Sequence, residues 1–302
     1  MALLDRAIVR VLPAVPRPVV RRLSDRYIAG SELADAAAVV RDLNARGLKA
    51  TLDVLGEEVT EAREALAIRG AYEEALATLE AEGLDANVSV KPTALGLKLD
   101  PSLCRESVRS LAVASAETGR FLRMDMEDSS TTTATLAIYR ELRAEGHENV
   151  GCVLQAVLRR TLDDVHDLIP LRPNVRVCKG IYVEPTDIAY QGDEAVRFNF
   201  VETMRALWEG GGKVAVATHD ERLVDAALEE IEARGLGPER YEFQLLLGVR
   251  EDLAEALVRA GHTVRIYVPY GRRWYEYSLR RLQENPRLAG YVARDTLRRL
   301  RP

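Results

Sequence analysis

Adjacent Arg280 and Arg281, followed one turn later by Glu284, are residues suited to gripping a small anion. They sit in YGRRWYEYSLRRLQENP, residues 270–286, a stretch with helical spacing that also carries Trp274, Tyr275 and Tyr277. A core helix has no use for two neighbouring guanidiniums, because a buried cation must be paired. A solvated helix has little use for three large aromatics. A helix that covers a polar pocket accommodates both. Tyr277, Arg280, Arg281 and Glu284 share one broad face at i, i+3, i+4 and i+7, and Glu284 can orient Arg280. Guanidiniums on that face would converge on a carboxylate or a phosphate.

Other chemistry-bearing residues close short apolar runs. Lys91 ends one run, Asp125 another and Gln155 a third; Arg176 and Lys179 lie on a fourth. Thr218 and His219 end a fifth, Gln244 lies on a sixth and Tyr267 on a seventh. Lys91 offers a third cation for an anion, or an amine for Schiff-base chemistry. His219–Asp220 has the donors of a metal pair, but His147, His166 and His262 fall in or beside helices and loops, so no metal centre is expected. In RMDMEDSS, residues Asp128, Ser129 and Ser130 are the natural helix caps, which leaves Asp125 for a site. Glu127 reads as a solvated neighbour, and Met124 and Met126 read as core-facing.

The elements that must position these residues repeat. A short run rich in β-branched residues is followed by a helical stretch, beginning with KATLDVLG at 49–56. Further runs start at 86, 120, 149, 174, 213, 241 and 263, giving eight strand-then-helix units about thirty residues apart. Strict alternation predicts a parallel sheet covered by helices. Eight units over residues 49–284 predict an α/β fold of the (β/α)8 TIM-barrel type, residues 46–302, with an N-terminal helical arm at 1–45. Barrel enzymes gather their chemistry where strands end in the C-terminal direction, and that is where the polar residues above fall. The helix at 270–286 follows the last strand, so it starts at the same rim and is expected to cover the barrel mouth.

Composition narrows the classes. The chain of 302 residues is 47% hydrophobic with a net charge of -5, which argues against a nucleic-acid partner. Three widely spaced cysteines fit a reducing compartment and exclude a disulfide framework. No GxGxxG follows a strand, and no phosphate-binding P-loop motif occurs. The start, MALLDRAIVRVLPAVPRPVVRRL, is apolar but broken by charges and prolines, and reads as packing helices or as an amphipathic element for a membrane surface.

The stretches NVSVKPTALG, RMDMED, VRVCKGIY, ATHD, EFQLLLG, RIYVPYG and YSLRRLQEN, in this order and spacing, resemble the proline dehydrogenase family. The resemblance covers nearly the whole barrel. It implies a flavin-dependent (β/α)8 enzyme that oxidises L-proline to Δ1-pyrroline-5-carboxylate, the first step of proline catabolism, by hydride transfer from proline C5 to FAD N5. The single-function bacterial form is implied, since no aldehyde dehydrogenase domain follows. By this resemblance Asp125 and Arg176 are catalytic, Arg176 standing beside the flavin. Arg280 and Arg281 hold the proline carboxylate with help from Lys91; Asp125, Tyr182, Leu246, Tyr267 and Glu284 complete the substrate pocket. Met124, Gln155, Lys179, Gly180, Ile181, Thr218 and His219 match positions that contact FAD. Leu247 and Cys178 depart from the family pattern, in which His or Tyr and Val are frequent. A quinone in the membrane is the implied electron acceptor. That would place the protein in the cytoplasm, with a peripheral contact on the inner face of the cell membrane through the arm or another surface.

Rival readings share the barrel. A flavin-dependent folate reductase would not need the arginine pair, an aldolase-like enzyme would use Lys91 as nucleophile, and a carboxylate sensor would bind without catalysis.

Overall fold

Parallel strands covered on the outside by helices bury their outward faces completely, which is why their sequences read as nearly unbroken apolar runs. A computed structural model of the chain describes residues 26–56, 59–275 and 278. Eight strands close into a parallel barrel in chain order: β1 (Lys49–Val54), β2 (Ala86–Val90), β3 (Leu122–Met124), β4 (Val150–Gln155), β5 (Asn174–Cys178), β6 (Lys213–Ala217), β7 (Tyr241–Leu246) and β8 (Val264–Tyr270). The barrel is sealed by β1 pairing with β8 from Lys49↔Arg265 to Val54↔Tyr270. The α/β barrel expected from the repeat is therefore present.

Helices fill the gaps between strands: α1 (Leu33–Ala45) precedes β1, then come α2 (Ala62–Ala81), α3 (Pro101–Glu117), α4 (Ser129–Ala144), α5 (Thr161–Leu168), α6 (Asp193–Glu209), α7 (Glu221–Arg234) and α8 (Glu251–Arg259). Their starts follow from local chemistry. Asp100 accepts from the Ser102 and Leu103 amides with Pro101 in the first turn, and Asp128 accepts from the Ser130 amide, as its sequence position foretold. Each helix turns an apolar stripe to the sheet; on α7 it is Leu223, Val224, Ala227 and Ile231. A fully buried leucine on such a stripe contributes about 1.5–3 kcal/mol. Gly235, at φ 58, ends α7 in the left-handed region that glycine adopts without strain.

The segment before β1 is tied to the end of β8. The Ala29 amide donates to Pro269 O at 2.9 Å, the Gly271 amide donates to Gly30 O at 3.0 Å, and α1 packs on β1 and β8. Trp274 packs on Ile28 and Leu55, so the first helical residues after β8 are seated on this segment. Tyr275 meets Trp274 edge-to-face at 5.7 Å between ring centroids.

The barrel interior is unusually polar. Side chains alternate across a strand, so every second residue points inward. Thr51 and Asp53, Asn87 and Ser89, Arg123 and Asp125, and Arg265 and Tyr267 stand at such alternate positions on or just beyond their strands. Barrel interiors are more often filled by branched apolar side chains. Here small residues make room. At Gly151 a β-carbon would lie 2.4 Å from Arg123 Nη1 and 2.5 Å from Asn174 O.

Candidate active site

At the C-terminal ends of the strands lies a cavity of about 410 Å³. Its floor is a closed set of hydrogen bonds contributed by residues on or just beyond six strands. Asp53 on β1 has no exposed surface, and Lys91, the residue after β2, bonds both of its carboxylate oxygens at 2.6 Å. Tyr267 on β8 donates to Asp125 Oδ2 at 2.7 Å and lies 3.3 Å from Lys91 Nζ. Ser89 on β2 donates to Asp125 Oδ1 at 2.7 Å. Arg176 on β5 donates to the same oxygen at 2.5 Å and stacks its guanidinium 5.3 Å from the Tyr267 ring. Arg176 Nε is held in turn by Gln244 on β7. Asp125 is fixed from its own backbone as well, since its amide donates to Val90 O at 2.8 Å.

These contacts set the charge states. Burial acts to raise the Asp125 carboxyl, but Arg176 and Lys91, with the Ser89 and Tyr267 hydrogen bonds, outweigh it and hold it below the usual carboxylate range. Asp53 differs: its complete burial, with Asp125 nearby, raises its carboxyl despite Lys91. Glu127 is raised by burial, which the bonds from Thr93 only partly offset. Cys178 lines the cavity and its thiol is pushed up to about 11 by burial, so it stays protonated at neutral pH.

Further round the rim, Gln155 donates to Glu127 O at 2.8 Å, which fixes its amide orientation. The Leu246 amide donates to His219 Nε2 at 3.0 Å. An amide can only donate, so Nε2 accepts and a neutral His219 ring carries its proton on Nδ1. Lys179 and Arg197 both bond Asp220, which also caps α7. Gly180 has φ 94, and a β-carbon there would lie 2.5 Å from Val157 Cγ1, so the chain turns tightly into the cavity wall at this point.

Lys91, Asp125, Gln155, Arg176, Lys179, Gly180, Ile181, Tyr182, Thr218, His219, Leu246 and Tyr267 thus line one cavity. Lys91, Lys179, Thr218 and His219 stand just past their strands rather than within them. Met124 is not brought to the cavity. It is fully buried in the core, because the residue between inward Arg123 and inward Asp125 must face outward. Met126, beyond the strand where alternation lapses, lines the cavity instead. Glu127 is not the solvated residue its sequence position suggests: it is 6% exposed and bonds the Thr93 amide at 2.9 Å. Leu247 does not line this cavity. Tyr277, Arg280, Arg281 and Glu284 lie outside the described residues.

Asp53, Ser89 and Tyr72 were missed by sequence reasoning. Tyr72 reaches in from α2, donating to Ser89 O at 2.6 Å and accepting from the Val54 amide at 3.1 Å, with Asp53 Oδ1 at 3.2 Å. A signal for Asp53 was available: a lone carboxylate inside TLDVL has to find a buried cation.

A flavin suits this cavity on the chemistry of its lining. Val153, Ala217 and Leu245 offer apolar walls for a flat ring system, beside the polar groups of Gln155, Arg176, Lys179, Thr218 and His219. Among the described residues no group of His, Cys, Asp and Glu has the arrangement of a metal centre.

Comparison with known proteins agrees with the sequence resemblance. The proline dehydrogenase family profile matches residues 36–294. The chain is 35% identical to a proline dehydrogenase of Deinococcus radiodurans, over 95% of this chain and 97% of that one. It is 34% identical to proline dehydrogenase 2 of Bacillus subtilis, over 88% of each. The barrel superposes on proline utilization A from Bdellovibrio bacteriovorus with a TM-score of 0.82 at 23% identity, covering 91% of this chain and 36% of that one, a likeness of fold. With profile, relatives and a barrel whose polar rim falls on the motif residues all in agreement, the chain belongs to the proline dehydrogenase family of oxidoreductases.

Proposed function

We propose that this protein oxidises L-proline to Δ1-pyrroline-5-carboxylate with FAD as its cofactor. Family membership supports the substrate class, and the observation that carries the site reading is the floor built on Asp125, where Arg176, Ser89 and Tyr267 converge on one carboxylate. Bound flavin would supply the two-electron acceptor for a hydride leaving proline C5. Gln155, Arg176, Lys179, Gly180, Ile181, Thr218 and His219 are the residues that would hold it, with Met126 more suitably placed than Met124.

The protein's own groups bind and orient. The proline nitrogen needs a free lone pair for C5–H to leave as hydride. Asp125 already accepts from Arg176, Ser89 and Tyr267 and is held below its usual range, so it serves as a fixed negative charge rather than as a base. Lys91 is clasped by both oxygens of Asp53, which keeps it an ammonium and opposes a Schiff-base role. Among the described residues at the floor, Asp53, Asp125 and Glu127 stand with Lys91 and Arg176, a formal excess of one negative charge. Such a floor does not attract a carboxylate by itself. Arg280 and Arg281 would supply the missing charge as a bidentate clamp, with Glu284 orienting Arg280 and with Tyr182, Leu246 and Tyr267 shaping the pocket. Electrons would pass to a membrane quinone. The membrane contact in this reading is peripheral, through residues 1–45 or another surface; no helix among the described residues is long and apolar enough to cross a membrane.

Anaerobic titration tests the reading. Purified protein should show flavin absorbance that L-proline bleaches and D-proline does not. A colourless protein that takes up no added FAD, or a flavin that L-proline leaves oxidised, would overturn it.

A further inference from the structure

The opposite, N-terminal mouth of the barrel holds a second cavity of about 110 Å³. Arg123, Arg265, Lys213, Asn87, Asn174 and Glu242 are among its lining residues. Three of these are cations and one is a carboxylate. Arg176 also borders it, but that charge is answered by Asp125 at 2.5 Å on the other side. Glu242 is committed to Arg265, whose Nε and Nη2 approach its two oxygens at 3.0 and 3.3 Å.

Arg123 is left without a carboxylate of its own. It is 3% exposed, and every hydrogen bond it makes goes to a neutral oxygen: Nη1 to Cys152 O at 2.9 Å and Asn174 O at 2.6 Å, Nη2 to Asn174 Oδ1 at 2.7 Å. Its Nε, fully buried, has no partner among the described residues. Gly151 provides the space in which this guanidinium is seated, since a β-carbon there would strike Nη1. Lys213, the first residue of β6, lies beside Asn174 in the sheet register and borders the same cavity. A buried, unpaired cation with an unsatisfied N–H is costly. The Nε N–H is out of reach of water; the Phe121 ring, 4.9 Å from the guanidinium carbon, offsets part of the charge, and a negative charge beside the Nη groups would offset the rest.

The geometry points to a binding site for a small inorganic anion, a halide or a compact oxyanion, held at the N-terminal mouth of the barrel by Arg123 and Lys213. The cavity has no room for a nucleotide or a larger organic anion. Entry is open, because Asn87, Phe121, Asn174 and Lys213 at its edge are only half-buried. The anion would sit on the Arg123 side, away from Glu242. It would tie together the starts of β3, β5 and β6, where the strands begin and no chemistry is placed.

The test is thermal unfolding of the full-length, FAD-loaded protein in sodium chloride, sulfate and phosphate, against gluconate at matched ionic strength. Gluconate is too large to enter. At least one small anion should raise the midpoint in a saturable way that gluconate does not reproduce. Lys213→Met should raise the half-saturating concentration by roughly tenfold or more, the loss of one charged hydrogen bond. Arg123→Lys, which keeps the charge but not the fork, should weaken it in the same direction. Lys213 starts a strand at the solvent edge, so its variant keeps the test alive where an Arg123 variant fails to fold. Four salts that superimpose at equal ionic strength would overturn the proposal. So would a linear sulfate response, identical in wild type and Lys213→Met, because that is exclusion of the salt from the protein surface.

Discussion

Lys91 near one end of the barrel and Arg123 near the other are both buried cations, and they are satisfied in different ways. Lys91 meets both oxygens of a carboxylate, Asp53, at 2.6 Å. Arg123 meets only backbone and amide oxygens. Around Lys91 the charges are matched in close pairs and the excess is negative; around Arg123 a single carboxylate, Glu242, serves two guanidiniums. Glu242 shows the effect: burial acts to raise it, yet Arg265, its hydrogen bonds and the more distant Arg123 hold it down to about 2. The difference separates two uses of buried charge. At the C-terminal end charge is set close to where a ligand arrives. At the N-terminal end it ties strand starts together.

The largest effect should come from the structural end. Glu242→Gln leaves Arg265 without its carboxylate, and breaking such a buried pair costs about 3–5 kcal/mol. Urea unfolding should show that loss, and kcat/KM should fall too, though less than for a direct change at Arg176, because Glu242 also accepts from Gln244, which holds Arg176 Nε. Acid unfolding sharpens the point. Glu242 titrates near 2 when folded and near its ordinary 4.5 when unfolded, so its contribution is complete above 4.5 and fades as pH falls from 4.5 toward 2. The Gln variant should lack that part of the acid limb. An unchanged limb would place the stabilising charge elsewhere.

Arg176→Met should reverse the pattern. It removes charged hydrogen bonds to Asp125 and Gln244, and at about 1.5–3 kcal/mol for such a bond the loss in kcat/KM should reach roughly 100-fold. Steady-state kinetics on protein of measured flavin content would show it; activity within a few-fold of wild type would remove Arg176 from the chemistry. Tyr267→Phe is the finest cut. It deletes one hydroxyl donor to Asp125 and leaves the ring under Arg176, so a drop of about tenfold in kcat/KM is expected. A loss of stability without loss of activity would move Tyr267 to the structural class.

Much of this was legible in the chain. The eight units could be read because strands covered on both faces are apolar almost throughout, so a polar residue at the end of a run stands out. Lys91, Asp125, Gln155 and His219 all announced themselves in this way. Asp53 did not, because it sits inside a run that otherwise reads as plain strand, and its partner is distant in sequence. Glu127 misled because a carboxylate near a helix start looks solvated, while its true partner is the Thr93 turn. Met124 is core-facing, as its place in the run suggested; only the family resemblance pointed to a cofactor contact there. Tyr72 could not be read at all, since nothing in a helical sequence says that its hydroxyl passes between β1 and β2.

Gly151 carries a consequence for how this barrel can vary. Its missing β-carbon and the Arg123 guanidinium claim the same space, with a hypothetical separation of 2.4 Å. The Asn174 carbonyl oxygen stands 2.5 Å from the same point and the Phe121 ring 2.7 Å, so a smaller residue at 123 does not by itself free position 151. Position 123 can change while 151 stays glycine, but a side chain at 151 demands that the backbone at the start of β5 give way as well. The glycine is therefore the harder of the two to replace, and the charge at the foot of the barrel can be lost without it.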